Sequence, residues 1–167
     1  YSILINLNEI KNKTFKKENF YFLIIILLTF GIDRYSKIEI MNNFSEKTFY
    51  INDFINFNLI WNTGIGFGLL NTQSSLLYNF ISFVICCVII TLIYIALKSD
   101  FIDRNIFAFI AGGAIGNFYD RMIFKAVPDF IDLHYENFHW FTFNVADIFI
   151  TVGIILYLIK GYFTEKT

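Results

Sequence analysis

Between Ser74 and Leu97 the chain reads SSLLYNFISFVICCVIITLIYIAL, twenty-four residues without a charge. A helix needs about 20 consecutive apolar residues to cross ~30 Å of hydrocarbon. In lipid every backbone N–H and C=O has to be satisfied within the protein, so a lone apolar run of this length has only the helix open to it. The run predicts a membrane helix over 74–97 and limits the rest of the chain to partners that a bilayer can hold. Composition agrees. Of 167 residues, 56% are hydrophobic and 16% charged, with 22 Phe and a single Pro, and the mean hydropathy is +0.56. A typical soluble domain is about 25% charged. The net charge of −1 supplies no basic footprint for nucleic acid. Cys86 and Cys87 lie side by side inside the run, without CxxC spacing or a disulfide framework, and read as packing or lipid-facing residues.

Three further spans are expected, at about 20–41, 105–122 and 144–162. The first has only thirteen charge-free residues, FYFLIIILLTFGI, before Asp33. It reaches spanning length only by continuing through DRYSKIEIM, which puts Asp33, Arg34 and Lys37 near one end. Asp33 and Lys37 are four apart and share a helix face. That pair reads either as an interfacial salt bridge with Lys37 snorkelling to the headgroups or as a substrate or lipid contact. In the third span Gly112, Gly113 and Gly116 form a small-residue face on which another helix can pack closely. Residues 1–19 form an Asn- and Lys-rich arm and 164–167 a short tail. No removed signal peptide is expected, because the first apolar run holds Asp33 and Arg34 and lacks a small-residue cleavage site.

Residues 42–68 are different in kind. FYINDFINFNLIW alternates with a period near two and is rich in Phe, Ile and Tyr, which predicts short strands lying at the membrane surface. The following Gly64, Gly66 and Gly68 permit a tight turn, but without a βαβ unit around them they do not make a nucleotide loop. Residues 123–143 are expected to be an outer loop carrying His134, His139 and Trp140. The fold expectation is an all-α membrane protein, four transmembrane helices with a small extracytoplasmic β element. Lys and Arg number eight on one side (Lys11, Lys13, Lys16, Lys17, Lys98, Arg104, Lys160, Lys166) and five on the other (Arg34, Lys37, Lys47, Arg121, Lys125). The positive-inside rule then puts both termini in the cytoplasm, and Asp33, Asp120, Asp129 and Asp147 near the outer face.

An ionisable group at membrane depth costs at least ~2.5 kcal/mol, so each is a functional-site hypothesis. Metal is not expected: HYENFH lacks the i,i+4 histidine pair that puts two imidazoles on one helix face. There is no GxSxG, and neither histidine has an obvious Ser or Cys neighbour; both read as interfacial loop residues. Two carboxylates remain. Brought within a few ångströms they cannot both ionise, so one can deprotonate water while its protonated partner polarises a carbonyl. Asp147 and one of Asp120, Asp129 or Asp132 would come from different elements, and spacing does not choose among the three. Asp120 and Arg121 also read as a structural ion pair at a helix end, with Arg121 holding Asp120 ionised, and Asp132 as a solvated or capping residue. Rival readings are a proton-relaying transporter and a scaffold whose acids only pair helices. The absence of GxGD excludes that class of intramembrane aspartyl protease.

Five segments in order carry a family resemblance: DRYSK at Asp33–Lys37, FNLIWNTGIGFG at Phe57–Gly68, GGAIGNFYDR at Gly112–Arg121, VPDFIDL at Val127–Leu133 and FNVADIFITVG at Phe143–Gly153. From about Phe20 to Gly153 the chain resembles lipoprotein signal peptidase (signal peptidase II), a family of membrane aspartyl endopeptidases. The resemblance implies that Asp129 and Asp147 are the catalytic pair. It makes Asn62, Asn117, Asp120, Arg121 and Asn144 structural and substrate-positioning residues, with Asp33 and Lys37 in support. It further implies cleavage of a prolipoprotein immediately before a diacylglyceryl-modified cysteine, in a bacterial cytoplasmic membrane among phospholipid, with no metal or organic cofactor. Two positions depart from the family pattern. Gly66 stands where a small Ala is usual, which would loosen that loop. Pro128 replaces an aliphatic residue, fixing φ and biasing Val127 to an extended conformation. The aromatics of 42–60 and 134–143 read as interface anchors, and the 42–60 strands are expected to cradle an extended substrate by backbone pairing.

Overall fold

The structure is a computed structural model and describes residues 17–44, 48–64 and 75–164. Helix α1 spans Lys17–Asn43, followed by strands β1 (Phe49–Asn52) and β2 (Ile55–Asn62), helices α2 (Ser75–Lys98) and α3 (Phe101–Phe124), strands β3 (Val127–Tyr135) and β4 (Phe138–Phe143), and helix α4 (Val145–Thr164). Two of the four described helices are long and apolar enough to cross a membrane, over Leu76–Lys98 and Val145–Thr164. Helices α1 and α3 share a cluster of ionisable residues, Asp33, Arg34, Lys37 and Asp120. Phe20, Leu27, Leu28, Phe83, Val88, Ile90 and Leu158 all point outward, far more apolar surface than an aqueous monomer displays.

α3 is the central post, packing against α1, α2 and α4. Its glycines make that possible. A β-carbon on Gly112 would collide with Thr29 of α1, and one on Gly113 would lie 2.6 Å from the Ala146 carbonyl oxygen of α4. The expected small-residue face is therefore two faces, one toward each neighbour. At the far end Asp100 caps α3 by accepting from the Asp103 N–H at 2.9 Å. Arg104 is buried and reaches back over the end of α2, donating to the carbonyls of Ala96, Leu97 and Ser99 and to Asn19 Oδ1. These are carbonyls that a helix C-terminus leaves without partners.

The strands form one antiparallel sheet in the order β1-β2-β3-β4. The sequence reading of 42–68 as strands thus holds for β1 and β2, but 123–143 is not a loop: it supplies the other half of the sheet. Its alternation is hidden because Val127, Pro128, Asp129 and Phe130 are all buried, so the first half of β3 is covered on both faces. Pro128 sits in extended pairing opposite Trp61, and Glu136 takes the left-handed φ of 52° at the tight β3–β4 turn. Gly66, Gly68, residues 1–16 of the arm and 165–167 of the tail lie outside the described residues.

Candidate active site

The site lies where the start of α4, the C-terminal half of α3, the middle of α1 and the first half of β3 meet. Local geometry at α4 comes from Asn-Val-Ala-Asp. The Asn144 side-chain oxygen accepts from the Asp147 N–H at 3.1 Å, and Asp147 Oδ2 accepts from the Asn144 N–H at 3.1 Å. This is a reciprocal capping box with Asp in the place of Glu or Gln. The amide of Asn144 then turns its NH2 to Asp129 Oδ1 at 2.6 Å. One asparagine therefore holds both carboxylates.

Each acid has a second amide donor. Asn62, at the end of β2, donates to Asp129 Oδ2 at 2.8 Å, and its own oxygen accepts from the Gly64 N–H. Asn117 of α3 donates to Asp147 Oδ1 at 2.8 Å. Both acids are buried. Burial, with the Asp147 carboxylate beside it, pushes the Asp129 carboxyl up to about 6, against the pull of the Asn62 and Asn144 amides.

Behind Asn117 lies a buried charge cluster. Lys37 is 0% exposed and donates to Asp33 Oδ2 (2.8 Å), Asp120 Oδ2 (2.7 Å) and Asn117 Oδ1 (2.8 Å). Arg34 pairs with the other oxygen of Asp120 and lies over the Tyr119 ring. Asp33 Oδ1 accepts from the Ala146 N–H at 3.0 Å, so α1 supplies a further cap to α4. The expected i,i+4 pair is thus present, but Lys37 does not snorkel; it is sealed inside the bundle with its charge neutralised.

Arg121 is not the counter-ion of Asp120. Its guanidinium donates to the carbonyls of Asn117 (3.2 Å) and Gly64 (2.6 Å), and Tyr78 donates to its carbonyl at 2.9 Å. It thereby ties the turn after β2 to α3. The partner sequence reasoning missed is Arg34. It sits three residues before Lys37, and that i,i+3 spacing of two cations on one face was the available signal for a facing acid.

Of the three candidates for pairing with Asp147, the geometry brings Asp129 to it. Asp120 is held by Lys37 and Arg34. Asp132 faces the opposite side of the sheet and, at 2% exposure, is neither solvated nor a cap. It accepts from His139 Nδ1 at 2.8 Å, and the His139 ring stacks on buried His134, which contacts Asn56. The histidines are strand residues, of which only His139, 57% exposed at its side chain, reaches the surface. Among the described residues no three groups are arranged to hold a metal ion. Beside Asp147 an apolar groove of about 250 Å³ opens between β4 and α4, lined by Phe141, Phe143, Ile148, Thr151 and Val152.

A helical bundle crowned by a four-stranded sheet is a fold found among bacterial membrane enzymes. Two solved structures, each described as a bacterial membrane enzyme, superpose on this chain. One has a TM-score of 0.73 at 25% identity, covering 87% of this chain and 89% of its own. The other has a TM-score of 0.69 at 25% identity, covering 83% and 90%. The family model for Signal peptidase (SPase) II matches residues 25–163. The lipoprotein signal peptidase of Pelagibacter ubique (strain HTCC1062) is 51% identical over 154 residues, 89% of this chain and 93% of its own. That of Francisella tularensis subsp. mediasiatica (strain FSC147) is 38% identical over 152 residues, 87% and 93%. The chain belongs to the signal peptidase II family and is a peptidase of the membrane.

Proposed function

We propose that this chain removes the signal peptide from lipid-modified prolipoproteins, cutting the peptide bond immediately before a diacylglyceryl-cysteine, with Asp129 and Asp147 as an aspartyl pair. The observation that carries the reading is the shared hold of Asn144 on both carboxyls. Water held between them loses a proton to the ionised acid. The resulting hydroxide oxygen bonds to the carbonyl carbon, while the protonated acid gives its proton to the carbonyl oxygen. As the tetrahedral intermediate collapses, one hydroxyl proton returns to the acid that had protonated the carbonyl oxygen, C=O re-forms and the C–N bond breaks. The proton taken from water passes to the leaving nitrogen, so both acids regain their starting states and no cofactor is needed.

All four helices span in this proposal, with both termini cytoplasmic and the sheet at the outer face. The charges on α1 and α3 cancel against each other inside the bundle, which lets those helices enter lipid despite their composition. The apolar groove beside Asp147 takes the lipid-bearing side of the substrate. An extended signal peptide adds to an edge of the sheet by backbone pairing. Asn62, Asn117, Asp120, Arg121, Asn144, Asp33 and Lys37 position this machinery.

The test is cleavage of a purified diacylglyceryl-modified prolipoprotein by wild type, Asp129→Asn and Asp147→Asn, each checked for cooperative unfolding. Both variants should remain folded and leave the precursor uncut. Cleavage retained by both removes the aspartyl reading. It would leave the acids as helix-pairing groups.

A further inference from the structure

We infer that the proton of the acid pair rests on Asp129 and that Asp147 is the ionised member, an arrangement imposed by the start of α4 and by Lys37 acting through Asn117. The inference rests on the aspartyl reading above and adds a division of labour: Asp147 takes the proton from water and Asp129 gives one to the carbonyl oxygen.

The two carboxyls have equal numbers of described hydrogen-bond donors, so counting does not separate them. Their settings do. Asp147 lies in the first turn of α4, inside a capping box, where the Asn144 N–H and the helix dipole favour a negative charge. Asp129 lies on a strand, whose net dipole is small.

The donors differ as well. An ammonium has three donors and no acceptor, so Lys37 can meet Asn117 only at its amide oxygen, as it does at 2.8 Å. That fixes the NH2 toward Asp147 Oδ1 and polarises it. The reversed amide would set NH2 against ammonium and oxygen against carboxylate. The amide oxygens of the two asparagines on Asp129 accept from backbone N–H groups, those of Gly64 and Asp147. The carboxyl of Asp129, pushed up to about 6 by burial, is consistent with its being the one that keeps the proton.

The other charges around the pair do not reverse this. Asp33 of α1 also faces the α4 N-terminus, but Lys37 is in direct contact with it. Asp120 of α3 is matched by Lys37 and Arg34. Arg121, which Tyr78 of α2 holds by its carbonyl, acts on both acids at once. Lys37 and Asn117 are thus positioning residues for Asp147, and Asn62 is one for Asp129.

The pH–rate profile of cleavage separates the roles. With Asp147 as the base, its ionisation sets the acidic limb and loss of the Asp129 proton sets the alkaline limb. Asn117→Ala withdraws a donor from Asp147 and should move the acidic limb upward by about half a pH unit or more, leaving the alkaline limb in place. Asn62→Ala should move only the alkaline limb, upward. The opposite pattern, or two unmoved limbs, overturns the assignment. Where a variant turns over too slowly to profile, ¹³Cγ titration of aspartate-labelled protein gives the same answer. The resonance missing from Asp129→Asn should titrate at higher pH than the one missing from Asp147→Asn, and the reverse order overturns the inference. Retained cleavage by both Asp→Asn proteins is a separate result, which sinks the aspartyl reading itself.

Discussion

Gly116 of α3 faces the carboxylate of Asp33 on α1 so closely that a β-carbon at 116 would lie 2.4 Å from Asp33 Oδ2. That oxygen cannot simply swing aside, because Lys37 holds it, while the other oxygen caps α4. Gly116→Ala should therefore cost about 1–3 kcal/mol, the usual range for overpacking, and lower processing by disturbing α4. Gly31→Ala is the control. No atom lies within 4 Å of its added carbon, and a glycine inside a helix costs about 1 kcal/mol relative to alanine. Unfolding in detergent should show loss for the first variant and none for the second; equal stabilities would contradict the packing.

Lys37→Met should strip Asp33 and Asp120 of a buried cation. Breaking a buried pair by removing one partner costs about 3–5 kcal/mol. Arg34 remains on Asp120, so Asp33 bears most of the loss. Adding Asp33→Asn to Lys37→Met should recover part of it, since the uncompensated charge is then gone. A double variant no more stable than Lys37→Met would show that packing, not charge, was lost.

Asp129 should leave a signature in the pH dependence of stability. Its carboxyl titrates at about 6 in the folded protein, against about 3.9 unfolded. Between those values the folded state holds a proton that the unfolded state has released. Linkage makes this contribution full below about pH 4 and lost as pH rises through about 6. At ~1.4 kcal/mol per unit the whole effect is at most about 3 kcal/mol. Subtracting the unfolding free energies of Asp129→Asn from those of wild type across pH 4 to 8 should isolate a falling curve; parallel curves would contradict the raised value.

Asn144→Ala should be worse for activity than for stability. Loss of a helix cap costs about 1 kcal/mol, which a lowered unfolding midpoint would register. The same change withdraws a donor from Asp129 and half of the box around Asp147. Processing measured well below the midpoint should still fall. A drop in activity that disappears once unfolded protein is discounted would mean the residue is only a cap.

How much of this was readable in advance depended on range. The apolar runs that became α2 and α4 announce themselves, because lipid demands an uninterrupted stretch. Asp33 and Lys37 are readable because four residues along a helix put them together. The motif residues Asn62, Asn117, Asp129, Asn144 and Asp147 do gather at one place. The strand at 127–135 was hidden: with Val127 and Phe130 covered along with Asp129, no face is left to water and the period-two pattern disappears. The true partners of Asp120 were hidden for another reason. Lys37 and Arg34 lie more than eighty residues earlier in the chain; their i,i+3 spacing signals a facing acid, but nothing local says which one. Adjacent Arg121 drew the assignment instead, although its position next in sequence turns it to another side of the helix.

The cluster of Asp33, Arg34, Lys37 and Asp120 also bears on how the chain is made. Two cations and one anion emerge from the ribosome on the first helix, and the second anion follows only when the third helix is synthesised. Until then the cluster residues of that first helix, Arg34 and Lys37 against Asp33, carry one unmatched cation, and the helix is a poor candidate for release into lipid on its own. In the proposed topology it has to wait beside the insertion machinery for its late partner, so the order of synthesis and the assembly of the bundle become one event.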